Sequence, residues 1–253
     1  MDTDAISADS TGGFLPPAIG EGTLFEDRLD AAAQLTTSLR PVAAADAVVV
    51  ALSHGGVVVG AEVARELHAP LDIVVVRKIR YPGAPERVLG AVAPGYAVFV
   101  RTDFGLTARQ VAIATADARK ELEHVDGRLH GMRHPLDVAG HEVILVDDGI
   151  TTGARMVTAA RWARTQRARR IVAAVPIAAR DAAELVGGEV ELFVCIHELA
   201  SLGAVGIWYD EYAPVGDDDV VELLTGSDRE LVTAAAAEEP QRHRLHLGYR
   251  RHT

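Results

Sequence analysis

Cysteine, lysine and long apolar runs are scarce in this 253-residue chain, and each scarcity excludes a class of protein. The one cysteine, Cys195, allows neither an internal disulfide nor a metal site built from several thiolates. No apolar run reaches the roughly 18–20 residues of a membrane-spanning helix, and the acidic N-terminus lacks a signal-peptide pattern. We therefore expect a cytoplasmic globular protein with no membrane partner and, at 49% apolar residues, a sizeable core.

Positive charge is also limited, because the chain carries a net charge of −11 and its only lysines are Lys78 and Lys120. The acidity is concentrated in residues 181–240, which hold 15 Asp or Glu and one Arg. A protein that binds nucleic acid usually presents a contiguous basic face, so we expect no nucleic-acid partner. A small polyanion is still allowed, since a few local cations decide its binding.

Three segments follow from the pattern along the chain. Residues 1–22 are rich in small, polar, Gly and Pro residues and are predicted to be a disordered tail. Residues 23–225 form the predicted domain, and residues 226–253 a helical segment with a basic, His-containing tail. Continuously apolar strands that alternate with helices predict an α/β fold with an open, mostly parallel sheet flanked by helices. The predicted strands are 47–52, 71–76, 142–146, 170–176 and 190–196, and helices are predicted near 25–39, 57–68, 153–166, 181–186 and 218–224.

The middle of the domain is less regular. Residues 80–87 contain two prolines and a glycine and are predicted to be a loop. Residues 89–93 and 96–101 flank Pro94-Gly95 and are predicted to pair as a hairpin. A long helix follows, and its apolar seam over residues 111–132 could pack on its own domain or on a second subunit.

The most informative stretch is Val143–Arg155, with the sequence VILVDDGITTGAR. Four apolar residues predict a buried strand, and the adjacent acids Asp147 and Asp148 follow at its carboxyl end, where open α/β sheets bind ligands. The loop Gly149–Gly153 then leads into a helix, whose free N–H groups and dipole favour a phosphate.

Two carboxylates beside a phosphate would repel it unless they bind something with hydrogen-bond donors, such as vicinal hydroxyls, or a bridging Mg²⁺. A phosphorylated sugar meets that demand, and ribose 5-phosphate is the simplest candidate. A plain strand–helix turn with solvated acids is the simpler alternative. The stretch is no Walker loop, because no Lys follows the glycine, and no Rossmann fingerprint, because the G-x-G-x-x-G spacing is absent.

The same stretch resembles the phosphoribosyl-diphosphate (PRPP) binding motif of the type I phosphoribosyltransferases, closest to a bacterial branch of uncharacterised phosphoribosyltransferase-domain proteins. The resemblance implies that fold, with a small hood or lid region. It also implies that Asp147 and Asp148 are the catalytic pair that binds the ribose 2′- and 3′-hydroxyls. The implied phosphoribosyl-binding residues are Asp147, Asp148, Gly149, Ile150, Thr151, Thr152, Gly153, Ala154 and Arg155.

A second phosphate site is implied at the neighbouring strand end. In the bacterial branch this turn usually has the sequence Pro-Arg-Gly-Gly, whereas this chain has Ser53-His54 in place of Pro-Arg. One expected cation is therefore a titratable imidazole. The loop from Arg80 to about Gly90 lies where the family places a mobile lid. The implied diphosphate-binding residues are Ser53, His54, Gly55, Gly56, Arg77 and Lys78.

A third segment, Leu202–Tyr212, is similar to the part of purine-salvage members that contacts the base. Trp208 and Tyr209 are its candidates for stacking on a base, although core or dimer contacts explain both aromatics equally well. Asp210 corresponds to an acid that reaches the Mg²⁺–diphosphate, so the resemblance implies Mg²⁺ as cofactor. A homodimer is expected from the family and from the helical seam.

The implied reaction transfers the 5-phosphoribosyl group of PRPP to a purine, pyrimidine or related base, or runs in reverse. Thr151 stands where hypoxanthine/guanine members carry an acid, which argues against that specificity. The alternative is a non-catalytic PRPP or nucleotide sensor, which the missing acid and the Ser53-His54 change would also fit.

Overall fold

A computed structural model describes residues 22–52, 54–96, 98–100, 105–130 and 135–227. Its main feature is a five-stranded sheet in which every neighbouring pair of strands is parallel. This confirms the predicted open parallel sheet flanked by helices. The elements are α1 Arg28–Leu39, β1 Val48–Ala51, α2 His54–Leu67, β2 Leu71–Ile73, β3 Arg77–Tyr81, β4 Ala84–Val92, β5 Val98–Val100, α3 Ala108–Leu129, β6 Glu142–Val146, α4 Ala154–Thr165, β7 Arg170–Ala179, α5 Arg180–Gly187 and β8 Leu192–Leu199. The order of the strands in this sheet is β2-β1-β6-β7-β8.

The core has one layer on each face of this sheet because successive side chains of a strand point to opposite faces. In β1, Val49 and Ala51 pack with α1, α2 and α3, whereas Val48 and Val50 pack with α4 and α5. Each of these four side chains is at most 5% exposed. The continuous apolar strands of the sequence are therefore explained by helices on both faces.

A second sheet, with the order β3-β4-β5 and antiparallel pairing, contains the segment predicted as a loop. The prediction for residues 80–87 is wrong, because they belong to a hairpin that turns at Pro82-Gly83. Gly83 has φ +81°, a conformation that suits glycine, and the pairing shifts register near Arg80, beside Pro85. The β4–β5 pairing confirms the predicted hairpin around Pro94-Gly95.

The seam of α3 is covered by the chain itself. Its buried residues pack into the same core layer as Ile79 of β3 and Leu89 of β4. The seam therefore no longer argues for a second subunit, and the homodimer stays a prediction. The buried seam residues are Thr115, Ala118, Leu122, Val125 and Leu129.

The ends of the domain are only partly described. A helical segment over residues 217–227 agrees with the helix predicted near 218–224. Most of the two predicted end segments, 1–22 and 226–253, lies outside the described residues, so the three-segment division stays a prediction. Within the described part of the chain, no helix has the length and apolar composition needed to cross a membrane.

Candidate functional site

The carboxyl ends of β1 and β6 lie side by side, since Ala51 pairs with Val146 in parallel register. The segments that follow the two strands, residues 54–56 and 147–153, therefore meet at one edge of the sheet. The first belongs to a helix and not to the predicted turn, because α2 begins at His54 and includes both glycines in its first turn. Ser53 lies outside the described residues.

The loop after β6 has the geometry of an anion site. Ile150 fixes it to β7, donating its N–H to Ile177 O at 3.0 Å and accepting from Ala179 N at 2.9 Å. Gly153 turns the chain into α4 with φ +71°, and this N-cap residue makes no side-chain hydrogen bond to the first turn of the helix. The loop also contains Thr151 and Thr152, which are exposed. The first N–H groups of a helix and exposed hydroxyls beside them are the donors that a phosphate requires.

Both predicted acids are buried, and each contacts an arginine. Asp147 is fully buried, and its Oδ2 accepts from Arg155 Nη2 at 2.9 Å. Asp148 is 4% exposed, and its Oδ2 accepts from Arg28 Nε at 3.0 Å and from the Tyr212 hydroxyl at 2.8 Å. The acids are thus charge-compensated within the protein, as buried carboxylates must be.

Cations from β3 face the same edge. Lys78 lines a small pocket together with residues 149–153, Arg155 and Met156. Burial, and then the positive charges of Arg155 and Arg80, lower the pKa of Lys78, while Asp147 acts in the opposite direction. The structure therefore places Lys78 beside residues 149–153, which we call the phosphate loop. From this position its side chain can contact a bound phosphate.

Arg77 and His54 lie on the neighbouring side, where they line a cavity with Arg155. The Arg77 Nε atom is 3.5 Å from Glu121 Oε1 of α3. The structure thus brings the predicted diphosphate residues that it describes to the edge of the phosphate loop. Their roles as ligands stay predictions.

His54 also has a partner that the sequence did not indicate. Its Nε2 atom lies 2.6 Å from Oδ1 of Asp217, at the start of the C-terminal helical segment. Arg128 of α3 forms an ion pair with the same carboxylate. The hydrogen bond with His54 is the largest cause that lowers the pKa of Asp217.

The segment after β8 contacts Asp148, at the start of the loop that follows β6. Tyr209 is 4% exposed, its ring packs on Phe25 at 5.1 Å between centroids, and its hydroxyl donates to Asp148 O at 2.6 Å. Trp208 donates its Nε1–H to a backbone carbonyl 2.8 Å away. Asp210 is exposed and accepts a hydrogen bond from Thr23. Base stacking by Trp208 and Tyr209 and metal binding by Asp210 stay predictions.

Sequence reasoning missed Arg28, Tyr212 and Asp217, all of which contact predicted site residues. Tyr212 ends the predicted base-contacting segment, so its neighbourhood carried a weak signal. Arg28 follows the Asp27 N-cap of an ordinary helix, and Asp217 lies in an acidic run, so neither position stands out.

The donor set suits Mg²⁺ that is bound partly by its ligand. The described residues contain no group of three or more His, Cys, Asp or Glu side chains that could enclose a metal ion. Mg²⁺ commonly takes one or two protein carboxylates together with substrate phosphates. The acids beside the phosphate loop fit that mode of binding.

Comparisons with known proteins agree with this geometry. Residues 28–201 match the family model described as phosphoribosyl transferase domain. Two curated proteins of Mycobacterium tuberculosis, from strains CDC 1551 and H37Rv, carry provisional phosphoribosyl transferase names and are each 37% identical over 228 residues. The match covers 87% of this chain and 51% of each relative, so the chain spans about half of their length. The crystal structure of TT1426 from Thermus thermophilus is 36% identical, with a TM-score of 0.68, and the match covers 79% of this chain and 97% of that chain.

Proposed function

The chain belongs to the phosphoribosyl transferase domain family, and from this we propose that it transfers the 5-phosphoribosyl group of PRPP to a nitrogenous base, or catalyses the reverse. The observation that carries the proposal is the meeting of a helix N-terminus with a glycine N-cap, two buried acids and the cations Lys78 and Arg155 at one sheet edge. Phosphate, hydroxyls and diphosphate are the three ligand groups that this set of donors and acceptors suits.

In the proposed complex, the 5-phosphate lies on residues 150–155, where it accepts from backbone N–H groups and from the hydroxyls of Thr151 and Thr152. Asp147 and Asp148 accept hydrogen bonds from the ribose hydroxyls. Arg155 is 29% exposed in its side chain, so it can shift from Asp147 to the phosphate without crossing the core.

The diphosphate lies against the first turn of α2 and the β3 cations. His54, Gly55 and Gly56 supply N–H groups at a helix N-terminus, and Arg77 and Lys78 supply positive charge. In the reaction, a ring nitrogen bonds to C1 of the ribose, and the bond from C1 to the diphosphate oxygen breaks with its electron pair on that oxygen. The protein positions the groups and stabilises the charge that develops on the leaving oxygen.

Mg²⁺ would neutralise the charge of the diphosphate, and Asp210 remains our proposed protein ligand for it. Trp208 is half-buried and remains our candidate for contact with the acceptor base. We further propose a cytoplasmic homodimer. Small molecules are the proposed partners, and the sequence argues against hypoxanthine or guanine as acceptor because of Thr151.

A non-catalytic sensor of PRPP or a nucleotide is the second candidate. It is favoured by His54, because Asp217 2.6 Å away already engages the side chain that would otherwise serve the diphosphate. A protein of this kind would bind PRPP and release no diphosphate.

Isothermal titration with PRPP and Mg²⁺ tests binding. We expect heat of binding from the wild-type protein and at least tenfold weaker binding by Asp147→Asn/Asp148→Asn, since a charged hydrogen bond contributes about 1.5–3 kcal/mol. Glu123→Gln, at an exposed position on α3, is the control. Wild-type protein that binds no PRPP would refute the transferase and the PRPP sensor, and would leave a nucleotide as the only ligand for the second candidate.

A diphosphate-release assay over a panel of purines, pyrimidines and other nitrogen nucleophiles separates the two candidates. Release with any acceptor supports the transferase, provided that Asp147→Asn/Asp148→Asn abolishes it. PRPP binding without release across the whole panel would support the sensor instead.

A further inference from the structure

Asp148 accepts two hydrogen bonds on the same oxygen, Oδ2, from residues far away in the sequence. Arg28 Nε of α1 lies 3.0 Å from this oxygen, and the Tyr212 hydroxyl lies 2.8 Å from it. Arg28 also donates from Nη1 to Ala213 O at 2.9 Å, and its guanidinium carbon lies 3.7 Å from the centroid of the Tyr212 ring. The guanidinium, the phenol and the carboxylate therefore form a closed set of contacts.

Both donors are fixed in their protonated forms. The side chain of Arg28 is 9% exposed, and although burial acts to lower its pKa, the charge and hydrogen bond of Asp148 raise it above the ordinary value. Burial, and then the negative charge of Asp148, raise the pKa of Tyr212 to about 12. At neutral pH, Oδ2 of Asp148 is therefore engaged by two hydrogens that stay in place.

The other acid has a different kind of partner. Arg155, which pairs with Asp147, lies directly after the phosphate loop and has a side chain that is 29% exposed. A bound phosphate offers Arg155 a second anion at the same loop. Arg28 belongs to α1, lies outside the loop, and is enclosed by Asp148, Tyr212 and Ala213.

We propose that Arg28 and Tyr212 are positioning residues that fix Oδ2 of Asp148 and thereby direct its Oδ1 to a ribose hydroxyl. This inference rests on the phosphoribosyl site proposed above. Neither residue touches the sugar. Their effect is pre-organisation: a carboxylate already fixed in its rotamer loses less conformational entropy when it accepts a hydrogen bond from the ligand.

The test compares three sugar phosphates that need no knowledge of the acceptor base. Ribose 5-phosphate, 2-deoxyribose 5-phosphate and 3-deoxyribose 5-phosphate are titrated into the 253-residue protein, and the ratio of dissociation constants measures how strongly each hydroxyl is recognised. We expect the wild type to prefer ribose 5-phosphate over at least one deoxy sugar by about tenfold or more, as for loss of a hydrogen bond to a charged group.

Tyr212→Phe removes one hydroxyl and leaves the ring against Arg28, and Arg28→Lys keeps the charge but changes the geometry of the donor. Both variants should lower that preference by about three- to tenfold, with a much smaller change in affinity for the deoxy sugar concerned. The control is Arg170→Lys, because Arg170 pairs with the fully buried Glu142 at the other end of β6, with Nη1 2.6 Å from Oε2. It should alter the melting temperature and leave the preference unchanged.

The outcomes separate this assignment from the proposed function. If the variants melt cooperatively and keep the wild-type preference for both hydroxyls, the positioning role of Arg28 and Tyr212 is overturned and the proposed function is not. A wild type that binds all three sugar phosphates equally would have the same consequence. If Arg28→Lys does not fold, Tyr212→Phe decides. A wild type that binds neither PRPP nor ribose 5-phosphate would overturn the proposed function and this assignment with it.

Discussion

Gly55 of α2 lies so close to Asp148 that a Cβ atom on Gly55 would stand 1.9 Å from Oδ2 of the carboxylate and 2.9 Å from Arg28 Nε. The close packing of the first turn of α2 against Asp148 therefore requires a residue without a side chain at position 55. Gly55→Ala should displace the carboxylate or the first turn of α2 and lower the free energy of unfolding by about 1–3 kcal/mol. It should also weaken PRPP binding, because the predicted hydroxyl-binding acid moves.

The matched control for this prediction is Gly127→Ala, also within a helix, where an added Cβ meets nothing within 4 Å. It should be neutral or stabilise the protein by up to about 1 kcal/mol, since alanine favours a helix. Urea unfolding of both variants measures the difference. Equal stabilities of the two variants would contradict the close contact.

Lys78→Met should weaken PRPP binding about tenfold or more at pH 7, by loss of a charged hydrogen bond. Burial and the nearby Arg155 and Arg80 lower the pKa of Lys78 in the free protein, and a bound phosphate should raise it again. Above the lowered pKa of Lys78, PRPP binding is therefore accompanied by uptake of a proton on the Lys78 amine. The affinity of the wild type for PRPP should consequently fall as the pH rises through that pKa. In Lys78→Met this part of the pH dependence should disappear.

Titration calorimetry at pH 7–10, in two buffers with different ionisation enthalpies, measures this proton uptake. The exposed Lys120, the only other lysine of the chain, gives the control Lys120→Met, which should behave as wild type. An identical pH profile for wild type and Lys78→Met would show that Lys78 does not contact the ligand.

The sheet and the phosphate loop could be predicted because their signals are local. Four apolar residues followed by Asp147, Asp148 and a glycine-containing loop define a strand, its end and a helix start within thirteen residues. The layers on both faces follow from strands that are apolar at every position.

The partners of the acids could not be predicted, because they depend on how distant elements pack. Arg28 and Asp148 are 120 positions apart, and only the packing of α1 against the sheet brings them together. The hairpin over residues 77–92 was missed for a related reason. The sequence Pro82-Gly83 is equally compatible with a loop and with a tight hairpin turn. What distinguishes the two is the pairing of β3 with β4, which involves residues outside the turn.

His130, at the end of α3, should make the stability of the protein depend on pH. Its Nδ1 lies 3.1 Å from Asp126 Oδ1 and its Nε2 lies 3.6 Å from Asp72 Oδ1, and these partners raise its pKa to about 9. An unfolded histidine has a pKa of about 6.5. The folded pKa is the higher one, so this contribution is fully present below pH 6.5 and is lost as the pH rises to about 9.

His130→Gln should therefore have a free energy of unfolding that is lower than that of the wild type by about 3 kcal/mol at pH 6 and by much less at pH 9.5. Urea unfolding at the two pH values measures the change. The control is His141→Gln. The His141 side chain is 46% exposed, so its interaction with Asp46 should contribute little to the free energy of unfolding. A deficit of equal size at both pH values would indicate a loss of packing and not of charge.

His54→Arg tests what the imidazole does at the predicted diphosphate site. His54 stands where the resembling bacterial branch has arginine, lines a cavity with Arg77 and Arg155, and contacts Asp217 at 2.6 Å. A guanidinium carries a permanent positive charge and a forked set of N–H donors that suits phosphate oxygens. His54→Arg should therefore bind PRPP about tenfold more tightly than wild type at pH 7, as for the gain of a charged hydrogen bond.

Asp217→Asn in the wild-type background separates the roles of the two partners. Asp217 engages the imidazole, so its neutral replacement should leave His54 more available to the diphosphate and should also tighten PRPP binding. Titrations of the three proteins with PRPP and Mg²⁺ at pH 7 decide, and equal affinities of wild type and His54→Arg would show that position 54 does not contact the diphosphate.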